Sequence, residues 1–315
     1  MPSALPAASV TIGCVGHATL IGIRKPVAHD FAQHTGECRM SSIISLDTLT
    51  EPESHLFLSP HYDDIALSTG GTVRALADAG RRPETIVIFG SEPAPDQPLT
   101  PFAAAMHDGW GLDASQVITS RQAEEHVASA HIGASQRVLP LRDAIYREDY
   151  YLSDDDLFGS PHPAESDIPA MIIAALDLPE NPDPNIRIYA PLAIGNHVDH
   201  QHAFNAAIAL TNAGWNVWFY EDSPYSLRSG ATESRLADVA STTLMNVSAL
   251  VSVERTWDPK IDAIMSYPSQ LATIFHHYVG ISPSRAGIDH ALRERALNIG
   301  EGKLVERFWR VNENR

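Results

Sequence analysis

Cysteine is nearly absent from this chain of 315 residues: Cys14 and Cys38 are the whole supply, and both lie in the first forty positions. The body after Cys38 therefore needs neither a disulfide framework nor thiol chemistry. Cys14 and His17, with His34 and Cys38, have spacings a small zinc site uses, but nothing around them resembles a zinc module, and they read as accidental. Positive charge is also short. Lys and Arg number 22 against 39 Asp and Glu, a formal net charge of −17 that argues against nucleic acid or an anionic membrane as partner. No apolar run approaches the ~20 residues of a bilayer span. Met1 to Val10 lacks the basic start and apolar stretch of a secretory leader, so a cytoplasmic location is expected. Internal repeats and low-complexity tracts are missing too. So is the Gly-x-Gly-x-x-Gly that a dinucleotide fold places after its first strand, where this chain has Ser68-Thr69-Gly70-Gly71-Thr72.

What is present is an ordinary globular composition, 44% hydrophobic, with length enough for one large α/β domain or two small ones. Residues 1–50 show no clear periodicity and are expected to form a poorly ordered extension to a domain at 51–315. From His55 onward, strand-like and helix-like segments alternate. The strands are expected at His55–Ser59, Thr85–Gly90, Gln136–Leu141, Asn185–Ala190, Trp215–Tyr220 and Ala249–Glu254. Helices are expected at Ile65–Ala79, Ser120–His131, Ile168–Leu176, His200–Ala213, Pro259–Phe275 and Ala291–Ile299. Leu304–Val311 reads as a late edge strand, and 92–101, 153–167 and 179–184 as loops. This alternation predicts an α/β fold: a Rossmann-like, mostly parallel sheet with helices on both faces, three layers in a single domain.

Chemistry concentrates at two strand-to-helix junctions, where open α/β sheets place their ligands. The first is Pro60-His61-Tyr62-Asp63-Asp64, followed by Gly70-Gly71. Two carboxylates opening a helix are ordinary caps for its free N–H groups. The imidazole three residues before Asp64 changes that reading, because His61 and Asp64 can face one point after a tight turn, leaving Asp63 beside them. A free carboxylate next to a metal-bound water is the arrangement a general base requires. Gly70 and Gly71 inside a helix each cost about 1 kcal/mol relative to Ala, and close approach of a neighbouring element would explain them. The second junction is His197-Val198-Asp199-His200. His197 and His200 share a helix face, Asp199 can orient a neighbouring imidazole, and His202 reads as a packing or surface residue.

These strings resemble the PIG-L/LmbE-like family of zinc-dependent N-deacetylases, whose signature is Pro/Ala-His-x-Asp-Asp, then Gly-Gly, then a later His-x-Asp-His. The likeness runs from about His55 to Trp309. Further pieces are Arg121 with Glu124, Asp143 to Arg147, Glu221-Asp222-Ser223-Pro224-Tyr225 and Tyr267-Pro268-Ser269-Gln270. The resemblance implies one Zn2+ per chain (another divalent ion such as Fe2+ is compatible) held by His61, Asp64 and His200. It makes Asp63 the base and His197 the electrophilic or acid partner. Tyr62 stands where many relatives carry Pro, and is expected to shape the substrate pocket.

The implied reaction removes an acetyl group from an N-acetylated sugar or sugar conjugate. Zinc lowers the pKa of its bound water toward about 7, Asp63 takes the proton, and zinc plus a protonated His197, held charged by Asp199, stabilise the oxyanion. The leaving amine receives its proton from Asp63 or His197. Arg121 and Asp143 are candidates for binding sugar hydroxyls or the carbonyl, with Arg147 behind them, and surface ion pairing is the alternative for all three. Tyr267 and Gln270 can reach the crevice or simply pack. Aromatic surfaces for a sugar ring are offered by Trp110, Tyr150, Tyr151, Phe158 and Tyr225. Two other readings remain: a zinc amidase for a larger acyl or thiol conjugate, and a non-catalytic nucleotide- or sugar-binding module. Homo-oligomerisation is left open.

Overall fold

The computed structural model describes residues 43–93, 98–112 and 116–312, so the Cys14, His17, His34 and Cys38 group lies outside the described residues. Seven strands form one sheet: β1 (Ser54–Ser59), β2 (Glu84–Val87), β3 (Ser135–Val138), β4 (Ile186–Pro191), β5 (Asn216–Tyr220), β6 (Met245–Ser252) and β7 (Val305–Val311). Their order is β3-β2-β1-β4-β5-β7-β6. β1 to β5 pair in parallel, and β7 runs antiparallel to both neighbours. The helices are α1 (Leu46–Thr50), α2 (Asp64–Asp78), α3 (Pro101–Trp110), α4 (Val117–Ile132), α5 (Asp154–Leu157), α6 (Ile168–Ala175), α7 (Val198–Asn212), α8 (Ala231–Val239), α9 (Trp257–Ile264) and α10 (Arg285–Ile299).

The apolar side chains explain the three layers. Phe57, Tyr189, Trp218 and Phe308 project to one face and meet α2, α4, α9 and α10; Leu58, Ile188, Val217, Phe219 and Trp309 project to the other and meet α6, α7 and α8. Alternate residues of each central strand thus feed opposite cores, which is why these strands read as continuous apolar runs. A third cluster lies under α3 and the loops around Ile145, Tyr151 and Leu157. No described helix is long and apolar enough to cross a membrane.

Four local expectations change. Residues 43–50 belong to the domain: Ile43 bridges to Leu250, Leu49 is buried in the core, and Arg187 donates to the Leu49 carbonyl. The segment expected as an edge strand is interior, because β7 inserts between β5 and β6 and buries Phe308 and Trp309 on opposite faces. The long helix expected at Pro259–Phe275 stops at Ile264. Tyr267 precedes Pro268, which disfavours helical geometry, and the chain resumes as a π-helical turn, Ala272–His277. An unexpected helix, α3, begins at the last residue of the loop expected at 92–101, with Thr100 accepting from Ala103 N at 3.1 Å, Pro101 in the first turn and Gly111 left-handed at the end.

Gly71 shows why the helix after β1 tolerates glycine. A Cβ there would lie 2.6 Å from Val253, and Glu306 of β7 accepts hydrogen bonds from Gly71 N and Thr72 N at 3.1 and 2.8 Å. Lys260 neutralises that carboxylate at 2.7 Å and also donates to the Ser68 carbonyl. The glycine lets α2 approach the sheet closely enough to be gripped by a buried ion pair.

Candidate active site

The strand order reverses between β1 and β4, whose carboxyl ends open the crevice expected of a doubly wound sheet. His61 lies two residues past the end of β1 and three before the start of α2, and His197 caps α7 after β4. The turn into α7 is tight. Ala193, Gly195 and Asn196 all have left-handed backbones, and a Cβ at Gly195 would collide with the Tyr225 ring at 2.5 Å. That conformation brings His200 within reach of the first junction.

His61, Asp64 and His200 present ligand atoms that all lie within 4.8 Å of one another. Asp64 sits between the two imidazoles, its Oδ1 3.5 Å from His200 Nε2 and its Oδ2 3.7 Å from His61 Nδ1. The outward nitrogens are committed elsewhere. His61 Nε2 donates to Asp199 Oδ2 at 3.0 Å, and His200 Nδ1 donates to Asp222 Oδ1 at 2.6 Å. Each imidazole therefore commits one nitrogen to a carboxylate and turns the other toward Asp64, the nitrogen that would ligate a cation when the ring is neutral. Two imidazoles and one carboxylate suit a borderline divalent ion, and three ligands leave a coordination position open.

A second grouping, His61 with His197 and Asp199, also meets the distance test. Its chemistry fits a cation less well. Asp199 already accepts from His61, from Ala144 N at 3.0 Å and from Arg147 Nη1 at 2.6 Å. A guanidinium in contact opposes a second cation.

Asp63 is the N-cap residue of α2, yet its side chain makes no capping hydrogen bond. Its carboxylate instead faces Arg121 at 3.7 Å inside the crevice. Burial and the adjacent Asp64 push Asp63 well above the usual carboxylate range, with Arg121 and His61 opposing. Burial resists charging His61, but Asp143, Asp199 and Asp64 outweigh it and raise it to about 9. His197 moves the other way: burial and the neighbouring His61 and His200 hold it well below 6.5. Its Nδ1 accepts from Asp199 N at 3.2 Å, which leaves the proton on Nε2. The Asp199 carboxylate bonds His61 rather than His197, and burial with the neighbouring imidazoles opposes a charge on His197.

The crevice is open to solvent and holds a cavity of about 70 Å³. Its polar end holds His61, Asp63, Asp64, Arg121, Asp143, His197 and His200, and Met106, Trp110, Ile145, Leu157 and Ile274 form an apolar wall. Arg121 and Asp143 thus stand where a substrate contact was expected, 3.9 Å apart. Tyr62 does not. It is buried away from the crevice, donating to the Gly90 carbonyl at 2.6 Å and accepting from Gln122, a strut between β1 and the end of β2. Arg147 is likewise withdrawn, tied to Asp199, Glu165 and the Arg142 carbonyl. His202 is buried against Glu165 rather than on the surface. Of the aromatics, Trp110 and Tyr225 line the crevice, whereas Tyr150 stacks on His162 and Tyr151 bonds Glu165.

Asp222 went unsingled among the site residues, although it follows β5, the next strand along from β4. A buried carboxylate at a third strand end was the available signal. Glu165, which anchors Arg147 and so steadies Asp199, lies in a loop whose polar composition hid it.

Comparison with known proteins finds relatives in both sequence and fold. The PIG-L family model, described as GlcNAc-PI de-N-acetylase, matches residues 56–211. A 2'-N-acetylparomamine deacetylase from Niallia circulans is 30% identical over 198 residues, covering 56% of this chain and 68% of its own. The fold matches a deacetylase of the teicoplanin biosynthesis pathway with a TM-score of 0.61 at 24% identity, over 83% of this chain and all of that one. It also matches an A40926 pseudoaglycone deacetylase with a TM-score of 0.59 at 24% identity, over 84% of this chain and 99% of that one.

Proposed function

The chain belongs to the PIG-L deacetylase family, and from that premise we propose that it hydrolyses the acetamide of an N-acetylated sugar or sugar conjugate, with Zn2+ held by His61, Asp64 and His200. One observation carries the proposal: three ligand atoms from two distant junctions converge within 4.8 Å, beside an Asp63 carboxylate that caps nothing. The relatives matched in sequence are 2'-N-acetylparomamine deacetylases, which supports an N-acetylated sugar conjugate as substrate class.

Zinc bound there supplies Lewis acidity, activating water and polarising the amide carbonyl. Asp63 accepts a proton from the attacking water as its oxygen adds to the acyl carbon. His197 donates its Nε2–H to the carbonyl oxygen as negative charge develops, and a neutral imidazole performs this without being ionised first. Breaking the C–N bond releases acetate, and the proton taken by Asp63 goes to the departing amine, so the base returns ready for the next cycle. Asp199 and Asp222 keep His61 and His200 in the ligating tautomer. Arg121, fixed between Asp63 and Asp143, offers a charged donor to the sugar. The apolar wall favours a conjugate that carries its sugar on a larger aglycone.

The test is acetate release from a panel of N-acetylated sugars and conjugates, with zinc-loaded and chelated enzyme, run beside Asp63→Asn. The proposal expects Asp63→Asn to keep its zinc and lose ~10²–10⁴ of turnover. Equal activity with and without metal, or in the Asn variant, would end it.

A further inference from the structure

Two consecutive glutamates on α4 grip the turn that follows α9. Glu125 accepts from the Tyr267 hydroxyl at 2.6 Å and from Ser129 at 3.0 Å. Glu124 accepts from both Ser269 N at 2.9 Å and Ser269 Oγ at 2.6 Å. A serine hydroxyl has a single proton. Committed to the Glu124 carboxylate, Ser269 Oγ can only accept from its other side. The group there is the Gln270 carboxamide, at 2.9 Å. It must therefore present its NH₂, so the orientation of the amide follows from the network rather than from convention. Gln270 is 3% exposed and lines the crevice with Asp63, Arg121 and Thr273. Among the described residues no protein donor meets its Oε1, and that oxygen is not among the buried, unpaired atoms.

We infer that Gln270 is a specificity-determining residue, whose Oε1 accepts a hydrogen bond from one ring hydroxyl of the bound sugar. The clamp explains the preference. Held by Ser269, the carboxamide cannot turn its NH₂ inward, so the position admits a donor and opposes an ether, a carboxylate or a phosphate. This rests on the deacetylase reading but goes beyond it, since a hydrolytic centre at His61, Asp64 and His200 needs no acceptor here.

The experiment measures acetate release from a benzyl glycoside of N-acetylglucosamine and from its full set of monodeoxy analogues. Wild-type, Gln270→Met and Ser269→Ala proteins are compared, with zinc content and thermal midpoint recorded for each. Wild type is expected to lose about 10–100-fold in kcat/KM on the analogue that lacks the hydroxyl received by Gln270. Gln270→Met should lose a similar factor on the parent glycoside and nothing further on that analogue. Ser269→Ala should show the same selective pattern more weakly, which keeps the test decisive if Gln270→Met fails to fold. Uniform rates across the analogues with wild type, or a variant penalty equal for every substrate, overturns the inference and leaves the hydrolytic reading standing. Absence of acetate release by zinc-loaded wild type removes that reading, and the inference with it.

Discussion

Asp222→Asn is the sharpest perturbation of the proposed zinc centre, because it changes one atom that never reaches the ion. Asp222 is 1% exposed, and both its oxygens are used: Oδ1 takes the proton of His200 Nδ1 at 2.6 Å and Oδ2 accepts from Ile194 N at 3.0 Å. Asparagine keeps one oxygen. The backbone N–H of Ile194 cannot change its role, so that oxygen must serve it, and the new NH₂ faces His200. The imidazole then has to accept at Nδ1 and carry its proton on Nε2, the nitrogen aimed at Asp64. Ligation would require expelling that proton or breaking the new contact. Loss of such an outer hydrogen bond costs 10–100-fold in metal affinity, or about 1.4–2.7 kcal/mol. The assay is competition for zinc against a chromophoric chelator near neutral pH, with circular dichroism to establish that the variant is folded. Turnover should return substantially at saturating zinc. A folded Asp222→Asn protein that binds zinc as tightly as wild type would show that His200 is not oriented this way, or does not ligate.

Three more outcomes follow from other parts of the molecule. His197→Gln should lower kcat by ~10²–10³ without displacing zinc, since one donor to the developing oxyanion is removed; an unchanged kcat would assign that task elsewhere. His55, buried against Tyr189 and Pro52, is lowered to about 4, by burial first and Arg187 next. Between pH 6.5 and 4 the unfolded chain binds a proton that the native state refuses, so this contribution is complete above pH 6.5 and lost as pH falls, by about 3 kcal/mol in all. His55→Gln should therefore flatten the acid side of the stability profile in urea titrations, and parallel profiles would contradict the assignment. Gly71→Ala should destabilise by about 1–3 kcal/mol through its 2.6 Å clash with Val253; Val253→Ala in the same chain should recover part of the lost melting temperature, and no recovery would point to some other strain.

The layers of the fold were legible because the central strands feed both cores and leave no polar alternation to confuse them. The two junctions were legible because His61, Asp63, Asp64 and His200 are close in sequence to strand ends, where topology decides proximity. Other parts depended on information that no local pattern carries. Leu304–Val311 looks the same whether it closes a sheet or enters it, and only pairing with β5 and β6 makes it interior. Tyr62 projects from the motif but finds Gly90 of another strand, so adjacency in sequence misled about the crevice. Asp199 neighbours His200 along the chain and serves His61 across it. The α3 helix, by contrast, was written in Thr100, Pro101 and Gly111, a cap, a first-turn proline and a left-handed stop.

The interior position of β7 makes the sheet depend on pairing between distant parts of the chain. Trp309 and Arg307 of this strand hold Glu221, the residue beside Asp222, and Glu306 enters α2 behind the first junction. Among the described strands β7 is the last in sequence and the one that joins β5 to β6. Contacts over so long a separation form late, so Glu221 and α2 take their final alignment from completion of the sheet rather than from their own local structure.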